Sequence, residues 1–89
     1  MTEGMVYLVG AGPGDWRLLT LRGKELLEKA DTVVTDHLAD PQLLRFARRD
    51  AEIIYVGKTA DHHTLRQEEI NALLVKLGQD GKTVVRLKG

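Results

Sequence analysis

Apolar runs of four or five residues, rich in valine and isoleucine, recur along the chain between segments of different spacing. Such short β-branched runs are typical of strands, and these do not alternate with polar residues as half-exposed strands do. They predict strands over 6–9, 32–35, 53–56 and 83–87. Each strand is therefore expected to be covered on both faces of a sheet.

Apolar residues three and four positions apart lie between the runs and predict three helices. Thr20 is a suitable N-cap for the first helix, and Pro41, after Asp40, is favoured at the first position of the second. Thr64 and Gln67 form a capping-box pattern before the third. The predicted apolar faces carry Gly23, Leu26, Leu27 and Ala30, then Leu43, Leu44 and Ala47, then Ile70, Leu73, Leu74 and Leu77.

The resulting order β-α-β-α-β-α-β predicts an α/β domain of three layers, with a parallel sheet and right-handed crossovers. The fourth predicted strand is followed only by Lys88 and Gly89. Because no helix follows it, that strand is expected to expose apolar surface. We therefore expect the chain to be part of a larger protein.

Composition restricts the possible partners. The chain has 89 residues, enough for one small domain, and its thirteen basic and thirteen acidic residues give a formal net charge of +0. The charge thus indicates neither a nucleic acid nor a membrane partner. The absence of cysteine excludes disulfides, thiolate metal ligands and a cysteine nucleophile. With no membrane-length apolar run and no signal-peptide pattern, a cytoplasmic protein is expected.

A glycine-rich loop containing Gly10, Gly12, Pro13 and Gly14 ends the first predicted strand. Glycine accepts positive φ and lets a ligand approach the backbone closely. The dinucleotide pattern G-x-G-x-x-G is not met, because Asp15 stands where the third glycine belongs, and no P-loop sequence follows. The loop therefore predicts either a contact with a small molecule or simply a tight turn.

The carboxyl ends of parallel strands meet at one edge of a sheet, where ligands of open α/β sheets bind. At these ends the chain places the glycine loop, Asp36, Lys58 after Gly57, and Gly89. Their convergence predicts a small-molecule site. Each residue also has an ordinary interpretation, since Asp36 could cap a turn and Lys58 could be a solvated loop residue.

His62 and His63 lie in a polar loop beside Asp61. Adjacent loop histidines seldom form a closed metal site without further ligands, and no further ligand stands at a recognisable spacing. We therefore expect no metal.

Linked motifs along the whole chain resemble those of the tetrapyrrole methylases. The opening, Val6-Tyr-Leu-Val-Gly-Ala-Gly-Pro-Gly-Asp15 followed by Leu18-Leu-Thr-Leu-Arg-Gly23, is similar to the start of that superfamily. Within that superfamily, four further motifs resemble those of the uroporphyrinogen-III C-methyltransferases. They are Asp36-His-Leu38, Tyr55-Val-Gly-Lys58, Gln67-Glu-Glu-Ile-Asn71 and Val84-Val-Arg-Leu-Lys-Gly89. These linked motifs are far more specific than the glycine loop alone.

The resemblance implies transfer of methyl groups from S-adenosylmethionine to two ring carbons of uroporphyrinogen III, giving precorrin-2 for sirohaem and cobalamin synthesis. It also implies that residues 1–89 are the N-terminal part of a two-domain, homodimeric enzyme, cut before the last strand of their sheet. Because the cofactor of this family lies between the two domains, these residues alone are expected to be inactive.

Carried over motif by motif, the resemblance implies Asp36 as proton acceptor and Lys58 as proton donor. The implied cofactor contacts are Gly10, Gly12, Pro13, Gly14 and Gly89. A substrate with eight carboxylates requires several cations, and the candidates are Arg22, Lys58, His62, His63 and Arg66. Among them, Arg22 and His63 are predicted to bind substrate, His63 because a histidine is usual there in the family.

The sequence departs from the family pattern at Trp16 and Arg66, where proline is usual, and at Thr35, where tyrosine is common. Two other hypotheses stay open. A nicotinamide- or flavin-binding domain is compatible with the alternating topology, although the glycine spacing argues against it. A non-catalytic binding module could keep the same fold, although the presence of both Asp36 and Lys58 argues against this.

Overall fold

The computed structural model describes residues 4–12, 14–36, 39–57 and 66–89. The strands are Met5–Gly10 (β1), Thr32–Thr35 (β2), Glu52–Tyr55 (β3) and Thr83–Lys88 (β4). The α-helices are Leu21–Lys29 (α1) and Gln67–Gln79 (α2), and 3₁₀ helices span Trp16–Leu18 and Pro41–Phe46. Within these ranges, no helix is long and apolar enough to cross a membrane.

The four strands form one sheet in the order β1-β4-β2-β3, and every neighbouring pair is parallel. The predicted parallel α/β sheet is therefore confirmed. The last strand lies inside the sheet, where Val84 is beside Val6 of β1 on one side and Thr32 of β2 on the other.

Side chains of β2 and β4 point alternately into two cores. Val33 and Val85 pack on one face with α1 and the second 3₁₀ helix, in a cluster that includes Leu26, Leu27 and Leu43. Val34 and Val84 pack on the other face with α2, in a cluster that includes Ile70, Leu74 and Leu77. Both central strands are thus covered on both faces, which explains their uninterrupted β-branched sequences.

The expected exposure of the fourth strand is wrong. Val84, Val85 and Leu87 have no exposed surface, because β4 is flanked by strands and covered by helices on both faces. Among the described residues the large exposed apolar side chains of the sheet instead lie on its two edge strands, with Leu8 (77%) and Met5 (52%) on β1 and Tyr55 (49%) on β3. Complete cover was expected for all four strands and holds for the two central ones, because β1 and β3 are edge strands of this sheet.

The start of α1 follows the sequence prediction, whereas two other helices differ from it. The Thr20 hydroxyl accepts a hydrogen bond from the Gly23 backbone N–H at 3.0 Å, as an N-cap does. The predicted opening of α2 after Thr64 is wrong, because Arg66 is extended (φ −70°, ψ 158°) and the helix begins at Gln67. Its N-terminus is closed instead by Glu69, whose carboxylate accepts from the Arg66 N–H at 3.1 Å.

The helix expected after Asp40 is a 3₁₀ helix of six residues. The Asp40 carboxylate caps it by accepting from the Gln42 N–H at 2.9 Å. Leu43 is fully buried, as its apolar spacing predicts. The segment ends at Phe46 because Ala47 is extended (φ −73°, ψ 154°), and the Ala47 N–H donates to the Leu44 carbonyl.

Asp31 links three strands at the amino edge of the sheet. Its carboxylate accepts hydrogen bonds from the Thr83 N–H at 2.8 Å and from Arg48 at 2.9 Å. Its backbone donates to the Thr83 carbonyl and accepts from the Glu52 N–H, so one residue joins the starts of β2, β3 and β4. The hydrogen bond from Thr83, reinforced by Arg48, lowers the pKa of Asp31 below its ordinary value.

The lowered pKa predicts how stability depends on pH at this position. Because the carboxylate is favoured in the folded state, its contribution is complete above about pH 4, the unfolded pKa, and is lost as pH falls through the folded value. Asp31→Asn should therefore lower the free energy of unfolding by about 1 kcal/mol at pH 7, given a charged hydrogen bond discounted for its partial exposure. Urea unfolding at pH 7 and pH 3 measures this difference.

Asp50→Asn is the matched control, because Asp50 also pairs with Arg48 (3.2 Å) but its side chain is 80% exposed. Its stability should differ little from the original protein at either pH. If the deficit of Asp31→Asn were equally large at pH 3 and pH 7, the charge of Asp31 would not be the cause.

Candidate active site

The strand order arranges the predicted site residues along the carboxyl edge of the sheet. The glycine loop follows β1, Gly89 follows β4, Asp36 follows β2 and Gly57 lies beyond the end of β3. The glycine loop therefore lies beside Gly89 at one side of the edge, and Asp36 lies beside the end of β3 at the other. The sequence predicted that these ends converge, but not which of them are neighbours.

The glycine loop turns sharply and is fastened to β4. Gly12 and Gly14 have φ of +84° and +82°, values that favour glycine, and the Gly14 N–H donates to the Gly12 carbonyl at 2.9 Å. The Ala11 N–H donates to the Lys88 carbonyl at 2.7 Å, which holds the start of the loop against the end of β4. Pro13, which was predicted to contact a cofactor, lies outside the described residues.

The glycines serve different purposes in the loop. A Cβ atom at Gly12 would lie 3.2 Å from the Cβ of Leu18, so both conformation and packing restrict that position. A Cβ at Gly10 would meet no described atom within 4 Å, and φ is not positive there. As far as the described residues show, packing and backbone conformation do not require glycine at position 10, and no described atom occupies the space above its backbone, which would suit a close ligand.

Asp15 closes the loop. Its carboxylate accepts from the Arg17 backbone N–H at 3.0 Å, which caps the first 3₁₀ helix, and pairs with the Arg17 guanidinium at 2.9 Å. These hydrogen bonds lower the pKa of Asp15 and, through the same pairing, raise that of Arg17. The residue that breaks the dinucleotide pattern thus stabilises the turn that replaces it.

Asp36 is mostly buried at the end of β2, with 14% of its side chain exposed. Its Oδ1 accepts from the Ala39 N–H at 3.2 Å, which is the turn-capping contact that the ordinary interpretation expects. Its Oδ2 lies 3.5 Å from Nη2 of Arg86. The same carboxylate therefore closes a turn and forms an ion pair with the neighbouring central strand.

Sequence reasoning missed Arg86 as a site residue. It interrupts the apolar run of β4, and an arginine inside a strand expected to be covered on both faces needs a partner there. That charge within the run was the available signal. Its partner could not be deduced, because Asp36 is fifty positions away in the sequence.

Two cavities lie along this edge. One of about 270 Å³ is bounded by the ends of β1 and β4 and by the first turns of α2, with Gly10, Lys88 and Asn71 in its wall. The other, of about 130 Å³, is lined by Asp36, Asp40 and Tyr55. Together they give the edge a larger, mixed polar and apolar recess beside the glycine loop and a smaller one beside the mostly buried carboxylate of Asp36.

The structure locates only part of the predicted set of cations. Arg22 lies in the first turn of α1, exposed, with Nη1 at 3.3 Å from Glu25. Arg66 is exposed at the N-cap of α2. Lys58, His62 and His63 lie outside the described residues, so their predicted roles remain predictions.

Curated relatives match nearly the whole chain. A siroheme synthase of Baumannia cicadellinicola is 60% identical over 86 residues, which is 97% of this chain and 19% of the relative. A uroporphyrinogen-III C-methyltransferase of Bacillus subtilis is 55% identical over 89 residues, which is 100% of this chain and 18% of the relative. The chain thus spans about a fifth of the length of these relatives.

Solved structures share both fold and sequence with the chain. A uroporphyrin-III C-methyltransferase from Thermus thermophilus superposes with a TM-score of 0.82 at 39% identity, covering 100% of this chain and 36% of that one. A complex of the Thermus thermophilus enzyme with S-adenyl homocysteine gives a TM-score of 0.77 at 48% identity, covering 97% and 35%.

The family match is equally extensive. Residues 5–89 match the family of tetrapyrrole (corrin/porphyrin) methylases, so the match includes the glycine loop and the ends of all four strands. The chain belongs to the tetrapyrrole methylases.

Proposed function

We propose that this chain is the N-terminal part of an S-adenosylmethionine-dependent uroporphyrinogen-III C-methyltransferase, which converts uroporphyrinogen III to precorrin-2. The observation that carries the proposal is the junction of the glycine loop and β4 beside the mostly buried carboxylate of Asp36 at one sheet edge. Identities of 55–60% to a siroheme synthase and a uroporphyrinogen-III C-methyltransferase support it. A second α/β domain, carried by the rest of the protein, would complete the site.

The cofactor is proposed to lie over the glycine loop and the end of β4. Gly10 leaves open space above its backbone, and the adjacent cavity of about 270 Å³ gives room for part of an adenosyl group. The backbone at Gly12, Gly14 and Gly89, together with Pro13, would complete the contact. The complex of the Thermus thermophilus relative with S-adenyl homocysteine supports this choice of ligand.

The reaction needs alignment and a proton acceptor. S-adenosylmethionine supplies an electrophilic methyl group, whose bond to sulfur breaks with the electron pair remaining on sulfur as a pyrrole carbon donates the pair of the new carbon–carbon bond. The methylated macrocycle must then lose a proton. Asp36 is proposed to accept it. Lys58, next to Gly57 in the sequence, is proposed as a proton donor; because one proton is lost per methyl group overall, a proton that Lys58 gives to one ring position must be matched by loss of a second proton from another.

Further parts of the proposal concern the substrate and the assembly. Arg22 and His63 are proposed to pair with carboxylates of the macrocycle. The complete protein is proposed to be a homodimer in the cytoplasm that serves sirohaem or cobalamin synthesis.

The alternative hypothesis is a nicotinamide-binding domain, and ligand titration distinguishes it from the methylase. S-adenosylhomocysteine should bind the complete protein with one site per chain, whereas NAD should give no heat, because the loop lacks the third glycine of the dinucleotide pattern. Isothermal titration calorimetry measures both. Binding of NAD in place of S-adenosylhomocysteine would refute the methylase proposal, and binding of neither would favour a non-catalytic module.

The two glycines of contrasting surroundings test where the cofactor lies. Gly10→Ala should leave the thermal midpoint of unfolding nearly unchanged, since the new Cβ would meet no described atom within 4 Å. It should weaken the binding of S-adenosylhomocysteine by about tenfold or more if the cofactor covers that backbone. Gly12→Ala should instead lower stability by about 1–2 kcal/mol, because alanine resists a φ of +84°. Unchanged affinity in Gly10→Ala would place the cofactor elsewhere.

Asp36→Asn tests the proton acceptor. The amide keeps the size of the side chain but cannot accept a proton, so kcat for methyl transfer should fall by about 100-fold or more while S-adenosylhomocysteine affinity stays near normal. Asp40→Asn is the control, because Asp40 shares the small cavity and asparagine can still cap the Gln42 N–H. Equal losses of kcat in the two variants would argue against a specific role for Asp36.

A further inference from the structure

Arg86 occupies an unusual place for a charged residue. It lies in β4, inside the sheet, and is 7% exposed. Among the described residues it is the one charged residue that is buried. A valine or leucine would suit this strand better, since burial of a guanidinium costs free energy unless every donor finds an acceptor. Packing alone therefore does not explain why an arginine stands at this position of β4.

The guanidinium reaches across the boundary between β4 and β2. Its Nη1 donates to the Leu87 carbonyl at 2.9 Å and lies 3.5 Å from the Val34 carbonyl oxygen. Its Nη2 lies 3.5 Å from Oδ2 of Asp36. Val34 is the direct partner of Arg86 in the sheet register, and Asp36 is two residues further along, on the same face. Two backbone carbonyls thus fix the guanidinium, which then faces the carboxylate.

The carboxylate of Asp36 is consequently held from both sides. Oδ1 is bound by the Ala39 N–H from the following turn, and Oδ2 faces Arg86 from the neighbouring strand. A carboxylate oxygen has more than one acceptor position, so these two contacts do not by themselves prevent Asp36 from accepting a proton. Without Arg86, Oδ2 would lose the guanidinium that faces it from β4.

We propose that Arg86 is a positioning residue for methyl transfer, which holds the Asp36 carboxylate in the orientation that accepts the proton from the methylated macrocycle. This inference rests on the proposed function. Arg86 acts through Asp36 and does not touch the reacting atoms. Lysine would be an incomplete substitute, because its ammonium is a point charge and lacks the planar fork that contacts carbonyls and carboxylate together.

A double-mutant cycle in the complete protein tests the proposal, using Arg86→Met, Asp36→Asn and the combination. Arg86→Met should lower kcat by about 100-fold, the effect of a misplaced catalytic group. In the Asp36→Asn background the same substitution should change kcat by no more than about twofold, since the group it positions is already disabled. A merely structural role would instead lower kcat by the same factor in both backgrounds, and that result would overturn the proposal.

Cofactor affinity and a conservative variant sharpen the test. Arg86 also borders the cavity of about 270 Å³ that is proposed to receive part of the cofactor, but its guanidinium donates to acceptors within the protein. S-adenosylhomocysteine should therefore bind Arg86→Met within about twofold of normal. A large loss of affinity with kcat retained would make Arg86 a cofactor ligand and refute the positioning role. Arg86→Lys should recover part of kcat, and it provides a second cycle with Asp36→Asn if the methionine variant fails to fold.

Arg48→Met is the matched control for loss of an arginine ion pair. Arg48 binds Asp31 at 2.9 Å at the opposite edge of the sheet, so its loss should lower stability and leave kcat unchanged. Methyl transfer by the unsubstituted protein tests the proposed function separately from the role of Arg86. If it transfers no methyl group from S-adenosylmethionine, the proposed function fails; if it does and the cycle is additive, only the role of Arg86 fails.

Discussion

The insertion of β4 between β1 and β2 is the constraint on which the rest of the structure depends. Because β4 pairs in parallel with both strands, the ends of β1 and β2 are separated by one strand, about 10 Å. That spacing places the glycine loop and Asp36 within reach of one small ligand. The hydrogen bond from Ala11 to the end of β4 ties the loop to this central strand.

The two edges of the sheet use charge in different ways. At the amino edge, Asp31 and Arg48 form a partly exposed pair that joins the starts of the strands, so both charges remain partly solvated by water. At the carboxyl edge, Arg86 and Asp36 form a mostly buried pair, with side chains 8% and 14% exposed. A buried pair is weak evidence for stability, because desolvation offsets the attraction. It does fix orientation, and orientation is what a proton-accepting carboxylate needs.

The accuracy of prediction from sequence followed the range of the interactions involved. The Thr20 cap depends on a residue three positions away, and it was predicted correctly. The start of α2 was misplaced because the sequence offers two pairs with the three-residue spacing of a capping box. Thr64 and Gln67 were chosen, whereas the observed hydrogen bond joins Arg66 and Glu69. Spacing alone does not choose between neighbouring caps. The 3₁₀ geometry of Pro41–Phe46 was missed because its apolar spacing also suits an α-helix.

The sequence by itself determined the parallel α/β class, the buried face of each helix, and the set of residues at the strand ends, because periodicity and local caps are short-range properties. Its family motifs also pointed to a methylase before any contact was known. Only the tertiary structure decided the strand order, the covered position of β4, the open edge at β1 and the pairing of Arg86 with Asp36. These depend on pairing between segments that are 50 residues apart for Arg86 and Asp36 and 78 residues apart for Met5 of β1 and Thr83 of β4, and the stability of such contacts is set by burial and partner geometry that no local pattern contains.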